Sequence, residues 1–445
     1  MDLNNYINKE LPCDCGKNHF FSIKVIDINP DATKRLPEHL KEMGYERPFL
    51  VEDKNTYEAA GKALEEVLVD AGFPVEKHIL DYDEMVPDEA VIGEVVCAFN
   101  KKCDIIVAVG SGTINDLCKF VSYQMSCDYM IFATAPSMDG FVSNGAAMIV
   151  NHVKVSFDCR VPVAVVGDTE VLRNAPMNMI NAGLADTLGK YTCLLDWKLS
   201  ALINDEYYCD QVTGMVEEAL RTVMSQKDLI AKRDANTIKS VTEALVLTGI
   251  AMALVGYSRP ASGCEHHLSH LWEMRFLMEG KKAILHGTKV GVGMITALHM
   301  YQDLAKEEVD FETAKQIHFD QEAYEAKMKE VYKDAAPGVI ALEKKCGKNA
   351  DEARFKRVAV MEEKWDEIKK LINENLPAAE EMEELLGSLG GTIRPAQIDI
   401  SEGLLYEGIC YAKEVRDRYT LLGILGDLGL SEKYARKMVE YYKNN

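Results

Sequence analysis

Residues Asp104–Val109 read DIIVAV, a continuous apolar run of the kind a parallel strand needs when both of its faces are buried. A helical stretch, Thr113–Gln124, follows it, and Tyr129–Ala135 (YMIFATA) and Val161–Val166 (VPVAVV) supply further strands. Upstream, Arg47–Glu52 (RPFLVE) leads into Thr56–Ala71, where Ala, Leu and Val recur at helical spacing. Such alternation gives a doubly wound parallel sheet, which takes its ligands at the carboxyl ends of the strands.

After about Asp168 the pattern changes. Ala182–Ile203, Asp210–Lys227, Asn236–Val255 and His286–Leu304 have helical periodicity with few strand signals. From Phe311 to Leu386 charge dominates, as on amphipathic helices with solvated faces; no catalytic role falls to that segment. Gly387–Pro395 is the clearest loop. The expectation is an α/β domain over residues 1–170 and an all-α domain over residues 171–445. No segment of about 18 apolar residues offers itself as a membrane span, and the amino terminus lacks the apolar run of a signal peptide. A net charge of −21 argues against nucleic acid and anionic membrane surfaces as partners. An anionic substrate would therefore need a local pocket of positive charge. The 12 scattered cysteines read as reduced thiols in a cytoplasmic protein, many of them small core residues.

Four of the 10 histidines fall within Ala261–Gly293: His266, His267, His270 and His286. His266 and His270 share one face of a helix, and His286 opens the next apolar stretch after a break at Gly280. Imidazoles delivered by consecutive helices suit Zn²⁺, Ni²⁺ or Fe²⁺. The metalloprotease pattern is excluded, because Glu265 precedes His266 and His267 follows it. INAGLADTLGK places Asp186 in a helix of small and apolar residues, where a carboxylate must be paired, exposed or bound to metal. With His266 and His286 it would complete a two-histidine, one-carboxylate set with a position open for substrate. A helix Asp paired with Lys190 is the plainer alternative.

VGSGTINDLCKF follows the DIIVAV strand. Gly110 and Gly112 allow a tight turn and close approach of backbone N–H groups to a phosphate, and the helix opened at Thr113 offers the positive end of its dipole. The third glycine of a full dinucleotide fingerprint is missing, and Asp116 stands in the first helical turn. Asp53, after the first strong strand, can accept hydrogen bonds from an adenosine ribose, or can simply be a turn residue. Ala133–Met148 (ATAPSMDGFVSNGAAM) places Thr134, Ser137, Asp139 and Ser143 in a glycine-flanked loop, which suits a dinucleotide or ordinary Asx turns. Cys13-Asp-Cys15-Gly-Lys-Asn-His19 offers only three metal donors, so it reads as a turn leading into the FFSIKVIDI strand.

In the order GSGTIND, TAPSMDGFVS, AGLADTLGK, SRPASGCEHHLSH and HGTKVGVG, these segments span most of Val109–Gly293. Together they resemble the sn-glycerol-1-phosphate dehydrogenases, within the wider group of iron-type alcohol dehydrogenases, glycerol dehydrogenases and dehydroquinate synthases. The charged helical extension is more like the longer bacterial branch than the shorter archaeal one. The resemblance implies a dehydroquinate synthase-like fold, with a dinucleotide-binding α/β domain and an all-α metal-binding domain. It implies metal ligation by Asp186, His266 and His286, the metal being zinc or nickel, with iron also possible. Contacts to NAD(P) would come from Gly110, Gly112, Thr113, Ile114, Asn115 and Asp116, from Thr134, Ala135, Pro136, Ser137 and Ser143, and from Asp53 at the ribose. Asp139, Asp186 and His270 would face the substrate, with Asp139 and His270 in catalytic roles and His270 relaying or orienting a proton. The implied reaction is reversible reduction of dihydroxyacetone phosphate to sn-glycerol-1-phosphate, the metal polarising the ketone oxygen; base rates alone make a homodimer the expected assembly. Arg259 and Lys190 are the expected cations for the substrate phosphate. The competing readings are a dehydroquinate synthase-type lyase and a dehydrogenase for unphosphorylated glycerol.

Overall fold

The computed structural model describes residues 1–82, 85–150 and 153–444. The chain forms two compact units, one of Met1–Thr187 with Gln211–Ser258 and one of Leu188–Asp210 with Arg259–Asn445.

The first unit opens with a small antiparallel hairpin of β1 (Glu10–Leu11) and β2 (His19–Phe20), the turn expected around Cys13 and Cys15. Six strands then build one wholly parallel sheet: β3 (Val25–Asn29), β4 (Pro48–Asp53), β5 (Glu76–Leu80), β6 (Ile105–Gly110), β7 (Asp128–Ala133) and, later in the chain, β10 (Ala164–Asp168). Every residue of β6 is buried, which explains its unbroken apolar run. Between β7 and β10 lies an antiparallel pair, β8 (Gly145–Val150) and β9 (Val153–Asp158), where the sequence shows only a loop. The spatial order of the large sheet is β3-β10-β7-β6-β4-β5. From β4 the chain runs towards one edge, and from β6 towards the other, so the topological switch point falls between the carboxyl ends of β4 and β6.

Helices Asp210–Met224 and Ala235–Val255 follow residue 170 in the chain but belong to this first unit by packing. Ala235–Val255 is buried on most sides and strongly apolar from Ala244 onwards. It is long and apolar enough to cross a bilayer, contrary to the sequence expectation, but 83% of that stretch is buried inside the protein. Asp234 caps its amino end by accepting the Thr237 N–H at 2.9 Å.

The second unit is helical. Lys190–Asn204, Cys264–Met278 and His286–Leu304 share a core with the later helices that includes Trp272, Tyr301, Met361, Leu405 and Leu425. The charged segment behaves as its pattern requires. Trp365–Asn375 buries Trp365, Ile368 and Ile372 and leaves Asp366, Glu367 and Lys370 in water. One continuous helix expected over Ala182–Ile203 is instead two, Met177–Leu188 and Lys190–Asn204, separated at Gly189.

Candidate active site

In the first unit the candidate dinucleotide contacts gather at the carboxyl end of β6. The chain leaves the strand at Gly110, turns at Ser111 and enters the helix Gly112–Met125. A side chain at Gly110 would lie 2.7 Å from Cβ of Ile114, so the turn is tight for the reason its glycine predicts. The loop after β7 lies beside it. Ser111 Oγ bonds the Ala135 carbonyl at 3.1 Å and Ser137 Oγ at 2.5 Å, and the Thr134 N–H donates to the Gly110 carbonyl. Thr134, Ala135, Pro136 and Ser137 therefore border the opening of a helix of 14 residues, whose dipole favours an anion there.

Lys119, which sequence reading passed over, fixes the next part of this loop. Its side chain is fully buried, and Nζ donates to the carbonyls of Gly140 (3.1 Å) and Gly145 (2.9 Å) and to Ser143 Oγ (3.2 Å). Asn115 Nδ2 adds a bond to the Gly140 carbonyl. Asp116 pairs with Lys119 at 3.2 Å and accepts the Ala147 N–H, so it braces the helix against β8. Asp53, at the end of β4 and the switch point, accepts the Thr56 N–H at 2.8 Å in a capping box, the turn role that the sequence left open.

Asp186 has no exposed surface, and its Oδ2 accepts the Asp139 N–H at 3.0 Å. Its helix, Met177–Leu188, sits hard against the β7 loop at Gly183, where a Cβ would fall 1.8 Å from the Pro136 carbonyl oxygen. Asp139 is buried alongside, 8% exposed.

In the second unit three of the four clustered histidines meet. His266 and His270 stand one turn apart on Cys264–Met278, and His286 opens the helix His286–Leu304. Their ring centroids are 5.1 Å (His266–His286), 6.0 Å (His266–His270) and 6.1 Å (His270–His286) apart. The two helices approach closely because a Cβ at Gly293 would lie 2.6 Å from the Glu265 carbonyl oxygen. Nε2 of His266 and Nε2 of His286 are 3.3 Å apart. Two Zn–N bonds of about 2.05 Å at a tetrahedral angle separate their nitrogens by roughly 3.3–3.4 Å, so this pair fits the edge of one coordination sphere.

His266 Nδ1 lies 2.7 Å from Oε1 of the fully buried Glu265, which also accepts the Gly263 N–H and the Thr192 hydroxyl. Burial pushes the Glu265 carboxyl up, and the Thr192 and Gly263 bonds oppose the shift. Asp196 supports the same turn. Its carboxylate accepts from Cys264 N, Tyr301 Oη and Leu421 N, and burial raises it to about 6. His270 Nδ1 is 3.8 Å from Glu273, which pairs with the buried Lys289. His267 is fully buried and stands outside the cluster. Desolvation, then the charges of Arg418 and Lys348, keep it neutral.

The two cations expected to hold a phosphate are engaged elsewhere. Arg259 is 1% exposed, forks onto both oxygens of Glu206, and donates to the Tyr419 carbonyl. Lys190 is fully buried and donates to the Ala261 carbonyl.

The profile of the family described as iron-containing alcohol dehydrogenase matches residues 27–176. Among curated relatives, a glycerol-1-phosphate dehydrogenase (NAD(P)+) of Halalkalibacterium halodurans is 33% identical over 419 residues, 93% of this chain and 95% of its own. The chain belongs to the glycerol-1-phosphate dehydrogenase family. A family member from Geobacillus stearothermophilus is 34% identical over 94% of this chain, whereas one from Methanosarcina mazei, at 32%, covers 57% of it. Glycerol dehydrogenase of Schizosaccharomyces pombe has the same fold, with a TM-score of 0.60 at 12% identity over 94% of this chain and 91% of that one. So does sulfoacetaldehyde reductase of Bifidobacterium kashiwanohense in complex with NAD+, with a TM-score of 0.58 at 13% identity over 94% and 96%.

Proposed function

We propose that this chain reduces dihydroxyacetone phosphate reversibly to sn-glycerol-1-phosphate with NAD(P)H, using a divalent ion held by Asp186, His266 and His286. The observation that carries the reading is the 3.3 Å approach of the two Nε2 atoms, with His266 locked by Glu265, in a chain of this family. The buried Asp186 supplies an anionic oxygen donor, and two neutral imidazoles with one carboxylate suit zinc, nickel or iron(II). When bound, such an ion acts as a Lewis acid towards the ketone oxygen.

The chain's own residues do the rest. The turn Gly110–Gly112, with Thr113, Ile114 and Asn115 behind it, offers backbone donors and a helix amino terminus to the pyrophosphate. The Lys119 hub holds Ser143 and the Gly140 carbonyl in place, which keeps Thr134–Ser137 open to the nicotinamide half. Asp53 stands at the switch point, where a ribose would lie. His270 is the proposed proton relay, oriented by Glu273, and Asp139 the proposed partner of a substrate hydroxyl.

A homodimer is the proposed assembly, the commonest symmetric arrangement, and the cytoplasm the proposed compartment, consistent with cysteines that form no disulfide among the described residues. The test is an NADH assay with dihydroxyacetone phosphate, repeated with dihydroxyacetone, alongside elemental analysis of the protein. Stoichiometric NADH loss on the phosphate ester, metal-dependent and absent in His266→Ala, is the expected result. Phosphate release without NADH loss, or full activity of a metal-free His266→Ala protein, sinks the assignment.

A further inference from the structure

The amino-terminal hairpin carries a second group of metal-binding side chains. Its strands are two residues long and paired Glu10 to Phe20 and Leu11 to His19, too short to hold a register alone. The connecting loop bears Cys13 and Cys15 and reverses at Gly16, whose φ of +82° favours glycine. One donor atom from each of Cys13, Cys15 and His19 lies within 4.8 Å of the other two. Cys15 Sγ is 3.1 Å from His19 Nε2.

His19 is fully buried, and its Nδ1 lies 2.8 Å from the carbonyl oxygen of Leu254, in the last turn of Ala235–Val255. A carbonyl only accepts, so Nδ1 carries the proton and Nε2 turns its lone pair towards the sulfur. Metal-binding histidines are oriented in this way, the second nitrogen donating to a carbonyl or carboxylate. Sulfur beside a neutral imidazole selects zinc over magnesium, calcium or manganese.

We propose that Cys13, Cys15 and His19 bind a structural zinc ion that staples the amino-terminal hairpin to the end of helix Ala235–Val255. Binding forms two Zn–S bonds and one Zn–N bond, and the two thiol protons leave to solvent. One position of the tetrahedron remains for a further thiolate or a water.

The test uses the full-length His266→Ala/His286→Ala protein, which lacks the ligands of the proposed catalytic ion. Purified with zinc under reducing conditions and dialysed, it should keep about one zinc per chain. Cys13→Ser or Cys15→Ser in the same background should lose it and lower Tm. Cobalt(II) in place of zinc in the double-histidine protein should give the near-ultraviolet thiolate-to-metal absorption that an Asp/His site cannot produce. A zinc-free double-histidine protein, full zinc content in both cysteine variants, or cobalt loading without that absorption overturns the proposal. None of these readouts depends on turnover, so failure of the dehydrogenase reading leaves them intact.

Discussion

Oε1 of Glu265 accepts the Nδ1 proton of His266 across 2.7 Å, although the two residues adjoin in the chain. The bond fixes the tautomer, so Nε2 presents a lone pair towards His286, and the nearby negative charge raises the basicity of the ring. Glu265→Gln keeps the shape and an accepting oxygen but removes the charge. Zinc affinity, measured by chelator competition on the stripped protein, should fall about 10- to 100-fold, with the fold intact by circular dichroism. An unchanged affinity would show that Glu265 serves only to hold the Gly263 N–H and the Thr192 hydroxyl.

Lys119→Met should damage cofactor binding and stability together. The change leaves the Gly140 and Gly145 carbonyls without their lysine donor in a buried setting, at a cost of about 3 kcal/mol. Urea unfolding measures that loss. Fluorescence titration should show NADH binding weakened at least about tenfold, since the loop that frames the helix opening is released.

Gly183→Ala tests the close approach of Met177–Leu188 to the β7 loop. Its Cβ would meet the Pro136 carbonyl oxygen at 1.8 Å, so backbone must move, costing about 1–3 kcal/mol and weakening NADH binding. Gly214→Ala is the control. It lies in a helix with nothing within 4 Å of the added Cβ, and should stabilise the protein by about 0.5–1 kcal/mol.

Glu52 gives a pH signature. Its side chain is fully buried in β4, and neither carboxyl oxygen has a hydrogen-bond partner among the described residues. Burial pushes it up to about 7, with Lys77 opposing and Glu65 and Asp53 adding to the rise. Between its unfolded value and about 7 the unfolded chain ionises while the folded one keeps its proton. Stability should therefore fall as pH climbs through this window, by about 3 kcal/mol in total, and level off above it. Glu52→Gln should flatten this slope in urea melts at pH 5, 6, 7 and 8. An unaltered slope would assign the dependence to other groups.

What the sequence disclosed was local. DIIVAV announces a doubly buried strand, and the four-residue step from His266 to His270 puts both rings on one helical face, because short-range periodicity carries that information. Pairings across long separations were invisible. Nothing near Asp116 in the chain announces that it is braced by Lys119 and by the backbone of Ala147, on a hairpin that the sequence presents as loop. Arg259 looked available to a phosphate because nothing nearby in the chain reveals Glu206 or the Tyr419 carbonyl. Cys13, Cys15 and His19 read as a turn because the sequence offers only three donors there, and the orientation of His19 by the Leu254 carbonyl, 235 residues away, shows only in the fold.

Asp196 takes its third hydrogen bond from the backbone of Leu421, near the end of the chain. The turn at Cys264 and Glu265, and through it the setting of His266, is thus finished by a segment 225 residues beyond Asp196 in the chain. A nascent chain that already has its whole parallel sheet, and every histidine of the cluster, still lacks the clasp that aims them. A protein clipped between Leu304 and Thr420 would keep every histidine of the cluster and lose that hydrogen bond.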